Sequence, residues 1–350
     1  MQLCAPGVVP GGGDARAREE VEQRRLPALG QPDQSDLHEI DYSGTRAHGH
    51  RPSPPRRPLT ASRRDIDVPG AALALLVSIL WGANPVAVKL GLEDAPPLRL
   101  AWMRFVVGGG VILGWAAATG RLREVAVARQ EWRPLVVLGL LFTAQVGGMN
   151  VGTALTSAAH AAIILNLYAV HTVVLAHFMI PGDRLTVHRV AGVVVAYSGI
   201  VVLFARQAGG AVTLLGDGLM FVSGLLLAER TVYMARAVQT LEPVKLLLAQ
   251  AAIGSALFMV LSAVFEPAPT RWTPTLAASI GYQGVVVAGF NFVVNLWLLK
   301  HYRPSTLAVF FLTQPVFGVV AAMLVAGDRL TPELLAACLA VAAGIGLASR

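Results

Sequence analysis

The phrase Gly182-Asp183-Arg184-Leu185-Thr186 returns as Gly327-Asp328-Arg329-Leu330-Thr331, 327 − 182 = 145 residues later, and each copy lies between two long apolar runs. The same offset, without a gap, pairs Ser78 with Ser223, Gly139 with Gly284, Asn150 with Asn295 and Gly199 with Gly344. A register kept over that distance is an internal duplication. Each half carries five apolar runs, and because five is odd the second copy must enter the bilayer from the opposite side. The expected fold is an all-α membrane protein of ten transmembrane helices, arranged as two inverted five-helix repeats over residues 69–205 and 215–349.

With 55% hydrophobic and 14% charged residues and a mean hydropathy of +0.59, the chain is too apolar for a soluble globular protein. Hydropathy sets the spans near 70–91, 98–118, 134–154, 158–180, 187–205, 215–236, 244–265, 275–299, 305–326 and 333–349. Each is long enough for a hydrocarbon core of about 30 Å. Such runs must be helical, since an isolated strand leaves backbone groups unpaired in lipid. Residues 1–66, rich in Arg, Pro, Gly and acids, lack apolar periodicity and read as a disordered tail, with a misassigned start codon as the alternative. Cys4 and Cys338 form no ligand motif, so neither a disulfide, a metal nor a cofactor is expected.

The net charge of +7 is spread over short loops rather than gathered on one face, so nucleic acid is not an expected partner. With the tail in the cytoplasm, the inner side carries Arg121, Arg123, Arg129, Arg133, Arg184, Arg189, Arg236, Lys245, Lys300, Arg303 and Arg350, against Arg99, Arg206, Arg271 and Arg329 outside. That excess predicts a multi-pass protein of the inner (cytoplasmic) membrane with both termini cytoplasmic.

Polar residues inside the spans are the candidate site, each with a packing alternative. Ser78, Trp81, Asn84 and Pro85 share one arc of the first helix, where Pro85 frees a carbonyl one turn back. His160, Tyr168 and His171 share an arc of the fourth and could relay protons. The third helix offers Gln145 and Asn150, the eighth Gln283, Asn291 and Asn295, and the ninth Gln314 beside Pro315. Amides suit zwitterionic or polyhydroxylated solutes, and equally suit interhelical glue. The substrate-binding set is Trp81, Asn84, Asn150, Tyr168, His171, Asn291, Asn295 and Gln314. Lys89, near its helix end, reads as snorkelling to the interface. Arg104, about 10 Å inside its helix, needs a partner or a cavity. Glu229 is the counterpart of Asn84 at the offset 229 − 84 = 145 and is costly when ionised at that depth, so Glu229 and Arg104 are the coupling candidates. The small-residue faces around Gly192, Gly199 and Gly344 either join the two halves or support a homodimer.

The stretch Leu80-Trp81-Gly82-Ala83-Asn84-Pro85, with Lys89, Ala95-Pro96-Pro97 and Arg104-Phe105 at their spacings, resembles the opening of EamA-type members of the drug/metabolite transporter superfamily. Both Gly-Asp-Arg-Leu-Thr turns resemble that family's Gly-Glu-Arg-Leu turn, and the resemblance covers residues 69–350. It implies a ten-helix, two-repeat fold and the movement of small metabolites such as amino acids, with export favoured. Val170 stands where many relatives carry a Pro, so a fourth helix without the kink is expected, whereas Pro315 keeps it in the ninth. Glu229-Arg230 stands where the sixth helix usually carries an uncharged aromatic-rich stretch.

The functional expectation is therefore a secondary transporter, an exporter of small polar metabolites by alternating access, with proton coupling as an open feature. A non-transporting receptor or scaffold, or a channel, is the alternative. An enzyme is not expected, because H-E-x-x-H, an Asp-rich diphosphate motif and G-x-S-x-G are all missing, as is the Gly-Lys-Ser/Thr of a P-loop.

Overall fold

The computed structural model describes residues 66–179, 185–205, 210–238, 240–302, 307 and 310–348. The tail up to residue 65, Gly182-Asp183-Arg184, Arg206, Arg303 and Arg350 lie outside the described residues. The described chain is helical, in the order α1 Val68–Gly82, α2 Asn84–Gly91, α3 Pro97–Ala118, α4 Trp132–Leu155, α5 Ala158–Asn166, α6 Tyr168–Met179, α7 Val187–Ala205, α8 Gly210–Ala237, α9 Pro243–Phe265, α10 Pro274–Gly281, α11 Phe292–His301, α12 Gln314–Ala321 and α13 Pro332–Ala348. Among these residues six helical stretches are long and apolar enough to cross a membrane: Val68–Gly91, Pro97–Ala118, Arg129–Leu155, Ala158–Met179, Pro243–Phe265 and Pro274–Asn295. Three shorter apolar helices cover Val187–Leu203, Gln314–Ala326 and Pro332–Ala348.

Burial is inverted relative to a soluble protein. Val194, Val201, Val264 and Leu324 are more than 60% exposed, whereas Ser78, Asn150, Asp217, Ser223 and Asn291 have no exposed surface. Apolar side chains facing out and polar ones facing in is the arrangement lipid requires, and the protein is a multi-pass membrane protein.

Helix starts follow from local chemistry. Proline opens α3, α9, α10 and α13, where its missing N–H costs nothing. Ser157, Thr273 and Thr331 cap the helices that follow them by accepting from His160 N, Leu276 N and Leu334 N at 3.1, 3.1 and 3.2 Å. In the second repeated phrase, Gly327 takes a left-handed φ of 72°, which suits a residue without Cβ. Asp328 Oδ2 accepts from Ala159 N at 2.7 Å, capping α5 rather than its own helix. Thr186 of the first copy accepts from Arg189 N at 3.3 Å, as Thr331 does from Leu334 N.

Four spans depart from single regular helices, the ninth through a turn at 312–313 and a π-helical stretch Ala322–Ala326. The first is divided at Ala83, because Pro85 cannot donate to the ladder. The fourth is divided at Leu167 despite Val170, which corrects the expectation of an unkinked helix. Here Asn166 Nδ2 donates to Ala162 O at 2.7 Å, taking the i−4 carbonyl that backbone N–H groups compete for, and Thr172 Oγ1 does the same to Tyr168 O at 2.7 Å. The offset of 145 carries Leu167 to Leu312, in the turn that precedes α12, so both halves break at matched positions through different residues. The eighth span passes through a π-helical stretch, Tyr282–Asn291, where the 100° spacing used to align Gln283, Asn291 and Asn295 does not apply.

Helix α7 packs along α13, α3 along α9 and α4 along α8, while α12 contacts α1 and α5. The Gly192 and Gly199 face of α7 is spent on α13. A Cβ on Gly192 would stand 2.5 Å from Gly344 O, and one on Gly199 would stand 2.6 Å from the Ala340 Cβ. Within the chain, that small-residue face joins α7 to α13.

Candidate functional site

The interruptions of the first, eighth and ninth spans meet. The Gln314 carbonyl lies 2.6 Å from where a Cβ on Gly82 would stand, so only glycine lets α1 approach the start of α12. Tyr282, in the π-helical stretch, donates its hydroxyl to Leu80 O at 2.7 Å, and Asn291 Nδ2 donates to Val77 O at 3.3 Å. Trp81 meets Phe292 and Phe311 edge-on at centroid distances of 6.3 and 5.9 Å. Around this junction Asn84 Oδ1, Asn291 Oδ1, Asn295 Oδ1 and Gln314 Nε2 are buried without a protein partner. Trp81, Asn84, Asn291, Asn295 and Gln314 are thus the part of the expected set that gathers around one junction. Tyr282 was missed, because nothing in its sequence neighbourhood distinguishes it from a packing tyrosine.

The remaining expected residues lie elsewhere. Asn150, with no exposed surface, donates to Pro97 O at 2.8 Å and ties α4 to the start of α3. Gln145 is taken up by Ser223 of α8, which it reaches at 3.2 Å. Tyr168 opens α6, half-buried. His171, 1% exposed, packs against Tyr197 and Phe221 at ring distances of 5.6 and 5.2 Å. His160 contacts a different group, Asp217 Oδ2, at 2.9 Å. The two histidines therefore do not form one relay, because the break at Leu167 ends the regular arc that aligned them.

Lys89 carries its ammonium to the helix end, where it donates to the carbonyls of Thr153, Ala154 and Thr156 at 3.0, 3.3 and 2.5 Å, satisfying the open C-terminus of α4. Asp217, not singled out from the sequence, has no exposed surface and accepts from Thr156 Oγ1 at 2.5 Å beside its contact with His160. A lone acid inside an apolar run was the available signal.

Arg104, 3% exposed, finds a neutral partner, donating Nη1 to Gln283 Oε1 at 2.6 Å. Its guanidinium lies 4.6 Å over Phe105, which meets Phe142 at 4.6 Å, and Arg230 lies 5.1 Å over Phe142. Glu229 is half-buried and makes no ion pair among the described residues.

Among the described residues, interruptions of apolar helices and buried polar atoms without a partner occur together here. The sequence profile of the EamA-like transporter family matches residues 68–205 and matches again over 214–350. The chain belongs to the EamA-like transporter family. Among its relatives, a "Probable amino-acid metabolite efflux pump" of Escherichia coli (strain K12) is 27% identical over 280 residues, 77% of this chain and 89% of that one. The "Aromatic amino acid exporter YddG" of Ancylobacter novellus is 28% identical over 219 residues, 59% of this chain and 73% of that one. A crystal structure at 21% identity aligns with a TM-score of 0.60, covering 80% of this EamA-like chain and 96% of the other, and so shares the fold.

Proposed function

We propose that this EamA-like protein is a secondary exporter of small polar metabolites such as amino acids, working by alternating access. Membership of a transporter family and relatives described as amino-acid effluxers support the substrate range. The observation that carries the reading is the junction of the three broken spans, where Asn84, Asn291, Asn295 and Gln314 keep buried hydrogen-bonding atoms free. Leaving such groups unpaired costs about 1–3 kcal/mol each, a cost that a solute making those bonds would offset.

In this reading the ten spans form two inverted five-helix repeats, residues 69–205 and 215–349, behind a disordered tail, in the cytoplasmic membrane with both termini inside. The twofold match to one family profile and the contacts of α7 with α13 and α3 with α9, which pair the fifth span with the tenth and the second with the seventh, support it. Trp81 shapes the path, the amides hold the solute, and Glu229 couples its movement to protons. Reconstitution in liposomes is the test. Saturable counterflow of a preloaded amino acid is expected; flux that rises linearly with concentration would indicate a channel, and no flux of any amino acid would favour a receptor or scaffold.

A further inference from the structure

The stack formed by Arg104, Phe105, Phe142 and Arg230 is not explained by packing. Arg104 lies about 10 Å along α3 from its start at Pro97 and is 3% exposed, in a region where an uncompensated charge is costly. Its one hydrogen-bond acceptor is the amide oxygen of Gln283, 2.6 Å away, and that amide is itself fixed by donation to Ser279 Oγ at 2.8 Å and Ala87 O at 3.3 Å. The two phenyl rings lie 4.6 Å apart and nearly edge to face, with one guanidinium over each, and the two like charges repel. Arg104 Nε and Arg230 Nη1 are buried with no acceptor, and neither side chain meets a carboxylate within ion-pair distance among the described residues.

A structural arginine in an apolar bundle is ordinarily neutralised by an acid, and cation–π contact offsets only part of the burial cost. Here two cations from α3 and α8 share one aromatic pair, and neither has a carboxylate within ion-pair distance among the described residues. Their positive charge is left to be matched. Guanidinium forks fit carboxylates in two-point hydrogen bonds. Resting on the export reading above, we infer that Arg104 and Arg230 form the anion subsite of the path, and that the solute is a carboxylate of net negative charge, with an acidic amino acid as its type. Gln283 is the positioning residue, holding the Arg104 fork in place. Arg230 is half-buried.

The test uses the purified full-length protein, with thermal unfolding and liposome flux read against L-glutamate, L-phenylalanine, L-lysine and inorganic phosphate at equal ionic strength. Glutamate is expected to raise the unfolding midpoint at a concentration at least 10-fold below that needed for phenylalanine. Arg230→Gln is expected to raise that glutamate concentration at least 10-fold, and Arg230→Lys to restore part of the loss. Equal action of phenylalanine and glutamate, an effect of phosphate alone, or an unchanged glutamate response in Arg230→Gln would each overturn the inference. If the variant does not fold, the wild-type ranking of glutamate against phenylalanine decides alone. Glutamate binding without flux would sink export and leave the subsite standing, whereas flux of neutral amino acids without glutamate binding would do the reverse.

Discussion

The helix ends and the middle of the bundle treat buried polar groups in opposite ways. At the end where the turns at 92–96, 156–157, 266–273 and 327–331 gather, charge meets charge or backbone. Lys89 takes three carbonyls of the α4 terminus, Glu266 accepts from Leu98 N and Arg99 N at 2.7 and 2.9 Å, and Asp328 accepts from Ala159 N. Arg271 pairs with Asp94 at 3.1 Å, and Thr273 bonds the same carboxylate. In the middle, Asn84, Arg104, Arg230, Asn291, Asn295 and Gln314 each keep a buried atom without a partner. Water reaches part of the end, where the Arg271 side chain is 70% exposed, whereas Arg104, Asn291 and Gln314 in the middle are at most 6% exposed. An unpaired group therefore costs more in the middle than at the end. Under the export reading proposed above, the end clamps helices together and the middle holds binding capacity in reserve.

Substitutions at the clamped end should break the comparison in stability first. Asp217→Leu removes the acceptor of both Thr156 and His160 from a site without exposed surface, and a loss of about 3 kcal/mol or more is expected. Lys89→Met should cost about 2 kcal/mol by freeing the α4 carbonyls. Both are read as falls in the thermal unfolding midpoint of detergent-solubilised protein, with the folded fraction keeping its substrate affinity. A Lys89→Met protein as stable as the parent would show that the end is not a clamp.

The sequence made the end and the middle legible to different degrees. Span positions came from hydropathy and the small-residue faces of α7 and α13 from glycine spacing, which are local signals, although what those faces meet was left open. The partner of a buried charge is not local. Lys89 reads as an interfacial lysine until the α4 terminus is found beside it, and Arg104 gives no hint that an amide nine residues along another span's helix will meet it. The break at Leu167 was hidden because proline is the visible signal for a kink, and Asn166 achieves the interruption with a side-chain hydrogen bond instead. The π-helical stretch was hidden because its residues, Tyr282–Asn291, carry no breaker other than glycines that also suit close packing.

Substitutions in the middle should sharpen the comparison from the other side. Asn291→Ala removes one hydrogen bond, to Val77 O at 3.3 Å, and one atom already without a partner, so a stability change of about 1 kcal/mol or less is expected. Transport should fall at least 10-fold, measured as counterflow rate per folded protein. A stability loss as large as that of Lys89→Met, with flux unchanged in the surviving protein, would make the amide structural and move the junction into the clamped class.

The smallest stability effect is expected at Glu229. Its carboxyl is half-buried in α8, about 12 Å before the end of that helix at Ala237, and makes no ion pair among the described residues, so Glu229→Gln should change stability by about 0.5 kcal/mol or less. Its counterpart at the 145-residue offset is Asn84, and the offset pairs Arg230 with Pro85. Where the first span breaks at Ala83, α8 runs unbroken through the matched Ala228, so the matched positions differ here. A proton-coupled carrier needs one group whose charge can change without collapsing the bundle, and an acid outside every clamp meets that condition. Glu229→Gln should therefore abolish flux driven by a pH gradient while leaving substrate exchange at equal pH within about 2-fold, and Asn84→Ala should weaken exchange itself. A Glu229→Gln protein that keeps its full response to the gradient but unfolds at lower temperature would return the carboxyl to structure, and the division between clamped ends and a responsive middle would then fail at this residue.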